Sequence, residues 1–483
     1  MRSVFHGFSL LAASSFLTAC AVGPDYQAPA LTSPTAFLGK EVIDQRHAGA
    51  SIPMSTWWVG FNDPVLTRLV SQALAKNLDI AQAEARITQS RAAFRSATAN
   101  LLPSGNVSGE ANRSHMSVET PEGRLLNATP NFDRNGNSFE ADLGANWEID
   151  FFGGLRRDRE AAHALYQASQ ADVVAARLSV AAQTADIYVT FRGLQTRLAI
   201  AIQQKEIQRR LLNTIRLQFD AGIAAELQVR QAEGALSQVE ANIPVFQAAL
   251  DSTLYALDVV LGEQPGSNRV LLDEPMPVPA APSISDAGGP AELLRRRPDL
   301  IVAERRLAAS NALIGSAISE YYPKFSLSGL AGTATTVSGN LFHSGADQAL
   351  AVAGLRWRLF DFGRVEAEIA SARGKKAESL AAYRLAVLRA SEDVEDAFAT
   401  LVRREAEEAT LANGEKSLRR ASDVSLVAYK GGVVSLIEVL DSNTRLLQTL
   451  DARAQAQTDA ARAAIASFRA LGGGWNADDF NQS

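Results

Sequence analysis

Polar and apolar residues alternate with a period of two in two regions of this chain, and with a helical period almost everywhere else. From Ser138 to Asp150, the residues Phe139, Ala141, Leu143, Ala145, Trp147 and Ile149 fall on one side of an extended backbone. Glu140, Asp142, Asn146, Glu148 and Asp150 fall on the other. Successive strand side chains point to opposite faces, so the pattern predicts a β-strand with one apolar and one polar side. Ala349, Ala351, Ala353, Leu355, Trp357 and Leu359 repeat it, facing away from Arg356 and Arg358, and Phe325-Ser326-Leu327-Ser328 alternates in the same way. Around these regions lie helix formers. Residues 62–100, rich in Ala, Gln, Glu and Arg, predict one first helix ended by Pro103. Residues 155–219 and 365–429 predict two very long helices, roughly 100 Å each at 1.5 Å per residue. Return helices follow, with apolar positions stepping by four and three from Ala225 to Val260 and from Leu436 to Leu471. That spacing is a heptad seam and predicts coiled-coil hairpins, with a kink at Pro244.

The same order of elements occurs twice. Asp79–Pro103 aligns with Asp299–Pro323 without gaps at nine identities in 25 positions, an offset of 220. Trp147/Trp357, Phe152/Phe362, Gly153/Gly363, Asp186/Asp396 and Gly222/Gly432 align at an offset of 210, so the first copy carries about ten extra residues in a loop. The reading divides the chain into a signal peptide (1–19), an extended arm (20–60), a first repeat (61–262), a Pro- and Gly-rich linker (263–290), a second repeat (291–472) and a tail (473–483). The fold class is α+β, mainly α.

Composition narrows the function. With 47 Lys+Arg against 53 Asp+Glu, the chain lacks the cationic excess of a nucleic-acid binder. One cysteine among 483 residues excludes a disulfide scaffold. The five histidines are scattered, none at metal-ligand spacing, and no phosphate loop or nucleophile elbow is present. No enzyme, metal or cofactor is expected. The single cysteine, Cys20, follows Arg2, an apolar run and Leu17-Thr18-Ala19, the layout of an export signal. With Cys immediately after small residues it resembles a bacterial lipobox, whose cysteine is lipidated.

The alternating strands match the length of a tilted membrane-spanning β-strand, 9–11 residues. Four strands cannot close a barrel around a lumen, and lipid tolerates no open edge. A membrane reading therefore needs several chains, and three would supply twelve strands. In that arrangement Phe139, Leu143, Trp147, Leu355 and Trp357 face lipid, while Glu140, Asp142, Glu148, Arg356 and Arg358 face the lumen.

Several short stretches, in this order and spacing, carry a family resemblance: Gly23-Pro24-Asp25-Tyr26 after Cys20; Trp57-Trp58 before Phe61-Asn62-Asp63-Pro64-Val65-Leu66; Trp147-Glu148-Ile149-Asp150-Phe151-Phe152-Gly153; Arg297-Pro298-Asp299-Leu300; Tyr321-Tyr322-Pro323; Leu359-Phe360-Asp361-Phe362-Gly363-Arg364; and Tyr429-Lys430-Gly431-Gly432 followed by Glu438-Val439-Leu440-Asp441. The chain resembles the TolC-type outer-membrane efflux factors, in the NodT-like lipoprotein branch that serves resistance-nodulation-division (RND) pumps. The resemblance implies a homotrimer in the outer membrane of a Gram-negative bacterium, with a twelve-stranded barrel continued by an α-helical periplasmic barrel. It implies a periplasmic adaptor (membrane fusion protein) and an inner-membrane RND pump as partners, and export of drugs or other small molecules without chemistry. It also places a gate near the turns at Gly222-Ile223 and Gly432-Val433. By position, Tyr429, Glu438 and Asp441 match gate contacts, with Gln228 on the opposing hairpin. Val434 stands where some members carry an arginine, so a salt-bridged lock is not expected. Three copies of Asp441 would form a cation-attracting ring. Protein secretion of the type I kind is the alternative within channels, and a lipid-anchored periplasmic adaptor is the alternative outside them.

Overall fold

A computed structural model describes residues 21–30, 36–46, 53–284 and 289–475. The expected signal peptide, Cys20 and the end of the tail lie outside these residues. In chain order the main elements are α1 (Pro64–Lys76), α2 (Leu78–Ala99), β1 (Ser104–His115), β2 (Asn135–Ile149), α3 (Gly154–Asp220), α4 (Glu226–Val260), α5 (Pro298–Ser319), β3 (Lys324–Thr335), β4 (Asp347–Arg356), α6 (Arg364–Lys430) and α7 (Leu436–Ala470). The internal duplication is carried into three dimensions: α3 and α6 have 67 residues each, and α4 and α7 have 35 each. Left-handed glycines recur at the same offset, Gly222 (φ 73°) with Gly432 (74°) and Gly262 (73°) with Gly472 (77°), each ending a helix where a side chain would be strained.

The first helix differs from its sequence reading. It is two helices, broken at Asn77, whose ψ of 133° leaves the helical region. The Asn77 Oδ1 accepts from the N–H groups of Asp79 and Ile80 at 2.8 and 3.2 Å, capping α2, while its Nδ2 donates to the Val260 carbonyl. An internal cap thus outcompetes a run of good helix formers. The heptad seam also proves too narrow a description of α7. Besides Leu436, Asn443, Ala454, Ala461, Ala464 and Phe468 on the seam, Val439, Leu446, Ala456, Ala460, Ala463 and Ile465 are buried. The reason is that α7 has two neighbours. Arg462 and Arg453 pair with Asp186 of α3 and with Glu408 and Glu415 of α6. Gly193 of α3 lies so close to α7 that a Cβ there would stand 2.2 Å from the Thr458 hydroxyl oxygen.

The chain forms two compact units, each drawing on both repeats. One comprises residues 1–29, 88–168 and 304–382, the other 30–87, 169–303 and 383–483. The first unit holds the sheet. The second is helical, and its core gathers Trp57, Phe61, Leu66, Tyr188, Leu257, Phe398 and Phe468, with Trp57 stacked on Phe468 at 5.4 Å. Beside this core runs a buried polar chain. Asp63 caps α1 through the Val65 and Leu66 N–H groups and accepts from the Tyr188 hydroxyl at 2.7 Å. Arg192, 1% exposed, donates to that hydroxyl at 3.0 Å, to Gln195 and to the Glu274 carbonyl. Burial, and then the bond to Asp63, push the Tyr188 phenol well above its ordinary pKa.

Candidate functional site

The four strands form one antiparallel sheet in the order β1-β2-β3-β4, with β1 and β4 as edges. Register fixes which side chains share a face. Leu143 lies opposite Val107 and Ala331, Trp147 opposite Leu327, and Phe325 opposite Leu355, so odd-numbered residues of all four strands lie on one side. That side carries Val107, Phe139, Leu143, Trp147, Ile149, Phe325, Leu327 and Leu355. The even side carries Asn106, Glu110, Glu140, Asp142, Asn146, Glu148, Ser326, Ser328 and Arg356. Leu143 is 59% exposed and Leu355 62% exposed, although no water-soluble sheet would present such residues to solvent without a covering layer. From Phe139 to Ile149 the apolar side runs about 36 Å along β2, or roughly 27 Å of depth at the tilt of barrel strands, close to the apolar band of about 25 Å.

Aromatic residues crowd the helix-proximal ends of the strands. The Trp147 Nε1 donates to the Leu101 carbonyl at 2.9 Å, and the Trp357 Nε1 donates to the Tyr321 carbonyl at 3.0 Å. Phe151 meets Phe325 edge to face, and Phe152 stacks on Tyr322 at 4.5 Å. Such a girdle marks a membrane–water boundary. On the polar side, Asp142 is a cross-sheet strut. It reaches over Gly332, where a Cβ would stand 2.1 Å from its Oδ1, to accept from the Gln348 Nε2 at 2.8 Å.

The residue that follows Cys20 is held at the same ends. The Val22 N–H donates to the Phe152 carbonyl, and the buried Arg157 guanidinium binds the Val22 and Gly23 carbonyls and the Asp25 carboxylate. Asn311, 1% exposed, donates to the Pro24 carbonyl, and Tyr26 bonds Glu304. Ala21 sits where a Cβ on Gly153 would be, 2.6 Å away.

The two hairpin turns are near copies. Ile223 N–H donates to the Gln218 carbonyl at 2.8 Å and Val433 N–H to the Ala428 carbonyl at 2.9 Å. Gln228 and Glu438 are equivalent positions, offset by 210, and both turn back toward their own helix start. Gln228 accepts from the Ala225 N–H at 3.1 Å, and Glu438 accepts from the Ser435 hydroxyl, which holds its carboxyl below the ordinary value. Beneath the turns, Leu211, Leu212, Ile215, Val229, Ala232, Leu436 and Val439 form a small core joining both hairpins. Tyr429 packs on this core, burial raises its pKa, and its hydroxyl donates to Gln218 of the other hairpin at 2.9 Å.

The description "Outer membrane efflux protein" belongs to a family model that matches residues 69–263 and 289–473. The chain belongs to this family. Nodulation protein T of Rhizobium leguminosarum bv. trifolii is 30% identical to it over 97% of this chain and 96% of that protein. The pyoverdine export outer membrane protein OpmQ of Pseudomonas putida is 30% identical over 92% of each. The solved outer-membrane channel OprN superimposes with a TM-score of 0.85 at 32% identity, covering 94% of this chain and all of that one. This outer membrane efflux protein is therefore an outer-membrane channel component with a TolC-like, mainly helical fold and a small antiparallel sheet.

In the efflux protein, the strand residues singled out from sequence fall on two faces: Phe139, Leu143, Trp147 and Leu355 on the apolar side, Glu140, Asp142, Glu148 and Arg356 on the polar one. Trp357 and Arg358 lie beyond β4, which ends at Arg356. Alternation outlasts the ladder there because Trp357 is tethered like Trp147, while Arg358 turns to Glu320 and Glu368. At the tips, Gln228 and Glu438 each cap their own helix and do not meet. Asp441 pairs with Arg445 one turn along, at 2.9 Å, both exposed. Sequence reasoning missed Gln218, the partner of Tyr429, because a glutamine on a long helix carries no signal of its own. Arg445 was legible as the i+4 partner of Asp441.

Proposed function

We propose that three copies of this chain join their sheets edge to edge into a twelve-stranded outer-membrane barrel, anchored by lipid on Cys20, that serves as the exit duct of a tripartite pump. The observation that carries the reading is the sheet itself: one face apolar across every strand, the other polar, and both edges unpaired by any described residue. Lipid forbids open edges, so the sheet needs further strands on both sides. The strap from Ala21 to Tyr26 supports the anchor, since it pins the residue after Cys20 beside the strand ends. The duct performs no chemistry, and a periplasmic adaptor and an inner-membrane RND pump deliver its cargo. Small molecules are the favoured cargo over secreted protein, in keeping with the pyoverdine export relative. The test is the detergent-extracted mature chain: a trimeric mass, resistance of the membrane-bound form to alkaline extraction, and conducting events in planar bilayers. A monomer released by alkali overturns the proposal.

The hairpin tips form the gate in this reading, with Tyr429 and Gln218 tying the hairpins and Asp441 lining the aperture. The Asp441–Arg445 pair changes the expected electrostatics from a bare carboxylate ring to a nearly neutral one. An exposed pair of this kind contributes about 0–1 kcal/mol to stability, so either partner can be removed without unfolding the tip. Arg445→Ala is expected to raise cation preference in bilayers, and Asp441→Asn to shift reversal potential the opposite way. Equal shifts of the same sign would place both residues outside the conduction path.

A further inference from the structure

The apolar side of the sheet is not uniform. Register places Gly105, Ala145, Gly329 and Ala351 in one row across all four strands, beside a row holding Trp147 and Leu327. With strands about 4.8 Å apart, the row is roughly 14 Å long. It is the floor of a groove of about 530 Å³, walled by Trp147, Leu327 and Pro103. The chain has no internal need for the bare position at its centre. A Cβ on Gly329 would meet only the Leu350 carbonyl oxygen at 3.9 Å, and Gly329 is not in the left-handed region. Gly332 in the same strand is different, because there the Asp142 side chain fills the space. Glycine inside a strand costs roughly 0.5–1 kcal/mol relative to alanine, and it marks places where something else comes close.

The position of the N-terminal strap says what comes close. Ala21 is fixed against Gly153, four residues past the end of β2, and Cys20 directly precedes it. An acyl chain leaving Cys20 enters the bilayer next to Trp147. One leaflet is about 15 Å deep, half of a hydrocarbon core of about 30 Å, and β2 from Ile149 back to Ala145 covers about 13 Å. We infer that the groove over Gly329 is the seat of an acyl chain carried by this chain's own Cys20. The occupant is the fatty chain of the lipidated N-terminus, and bulk phospholipid is the competitor. Seating it fills the groove with methylenes, locks the strap to the wall, and makes the anchor part of the barrel's packing. The inference rests on the proposed lipidation and membrane wall.

The test places a benzophenone amino acid at position 327 in the full-length chain, irradiates native outer membranes, and identifies the adducts by mass. The expected result is that most adducts join the 327 peptide to the acylated N-terminal peptide. The same probe at position 139, on the same face but distant from the strap, then yields phospholipid adducts. Gly329→Leu, which fills the groove with a side chain that lipid tolerates, is expected to move the 327 adducts to phospholipid while oligomer yield stays normal. Equal phospholipid labelling at 327 and 139 in the parent chain overturns the inference and leaves the wall intact. Recovery of an unacylated N-terminal peptide overturns it together with the proposed anchor, and adducts to soluble periplasmic peptides alone overturn it together with the wall.

Discussion

Arginine in place of Leu143 is expected to remove the protein from the outer membrane almost completely. Leu143 lies on the apolar face between Val107 and Ala331, in a central strand, and more than half of its surface is bare in the single chain. A charge on the lipid face near the bilayer midplane costs about 2–4 kcal/mol. Repeated in three chains, the penalty reaches roughly 6–12 kcal/mol, as large as the whole stability of an ordinary domain. The same substitution three residues on, Asn146→Arg, puts the charge on the polar face and is expected to leave yield nearly unchanged. Heat-sensitive oligomer in outer-membrane fractions measures both. Equal yields would mean that the odd face does not meet lipid.

Asp63→Ala is expected to be the most damaging single change in the helical unit. It removes the cap of α1, worth about 1 kcal/mol, and deletes the acceptor for Tyr188, leaving the Arg192 charge buried with one fewer anion near it. Breaking a buried charged network in this way costs about 3–5 kcal/mol. Asp63→Asn keeps the cap and should lose less, and Tyr188→Phe isolates the bridging hydroxyl. The guanidinium midpoint of helix ellipticity reads all three, and an unchanged midpoint for Asp63→Ala would show that the network carries no stability. The raised Tyr188 pKa adds a pH signature. The unfolded chain releases the phenolic proton near pH 10 while the folded one retains it, so stability falls as pH climbs past about 10.

What the sequence disclosed followed from how strongly each element patterns its own residues. The long helices, the return helices and strand β2 were legible because their periods persist and because the second copy repeats them at a constant offset. Strand β1 was not. Its sequence, from Ser104 to His115, places only Val107 and Ala111 as apolar side chains on the lipid side, with glycines between them, so alternation barely registers. The break at Asn77 was hidden by the strong helix formers on either side, and only its capping bonds reveal it. At the tips, Glu438 and Gln228 stood out through resemblance, yet their nearest partners are their own helix starts. The contact that joins the hairpins, Tyr429 with Gln218, spans 211 positions and depends on a tertiary approach no local pattern encodes.

The unpaired rims of the four-stranded sheet have a further consequence for the life of the molecule in the cell. A solitary newly exported copy presents two sticky margins and a greasy flank, so it is an intermediate to be escorted or degraded. Assembly then depends steeply on how many copies are present together. A defective copy that keeps one good margin would capture healthy siblings and spoil them, so such an allele would behave as dominant.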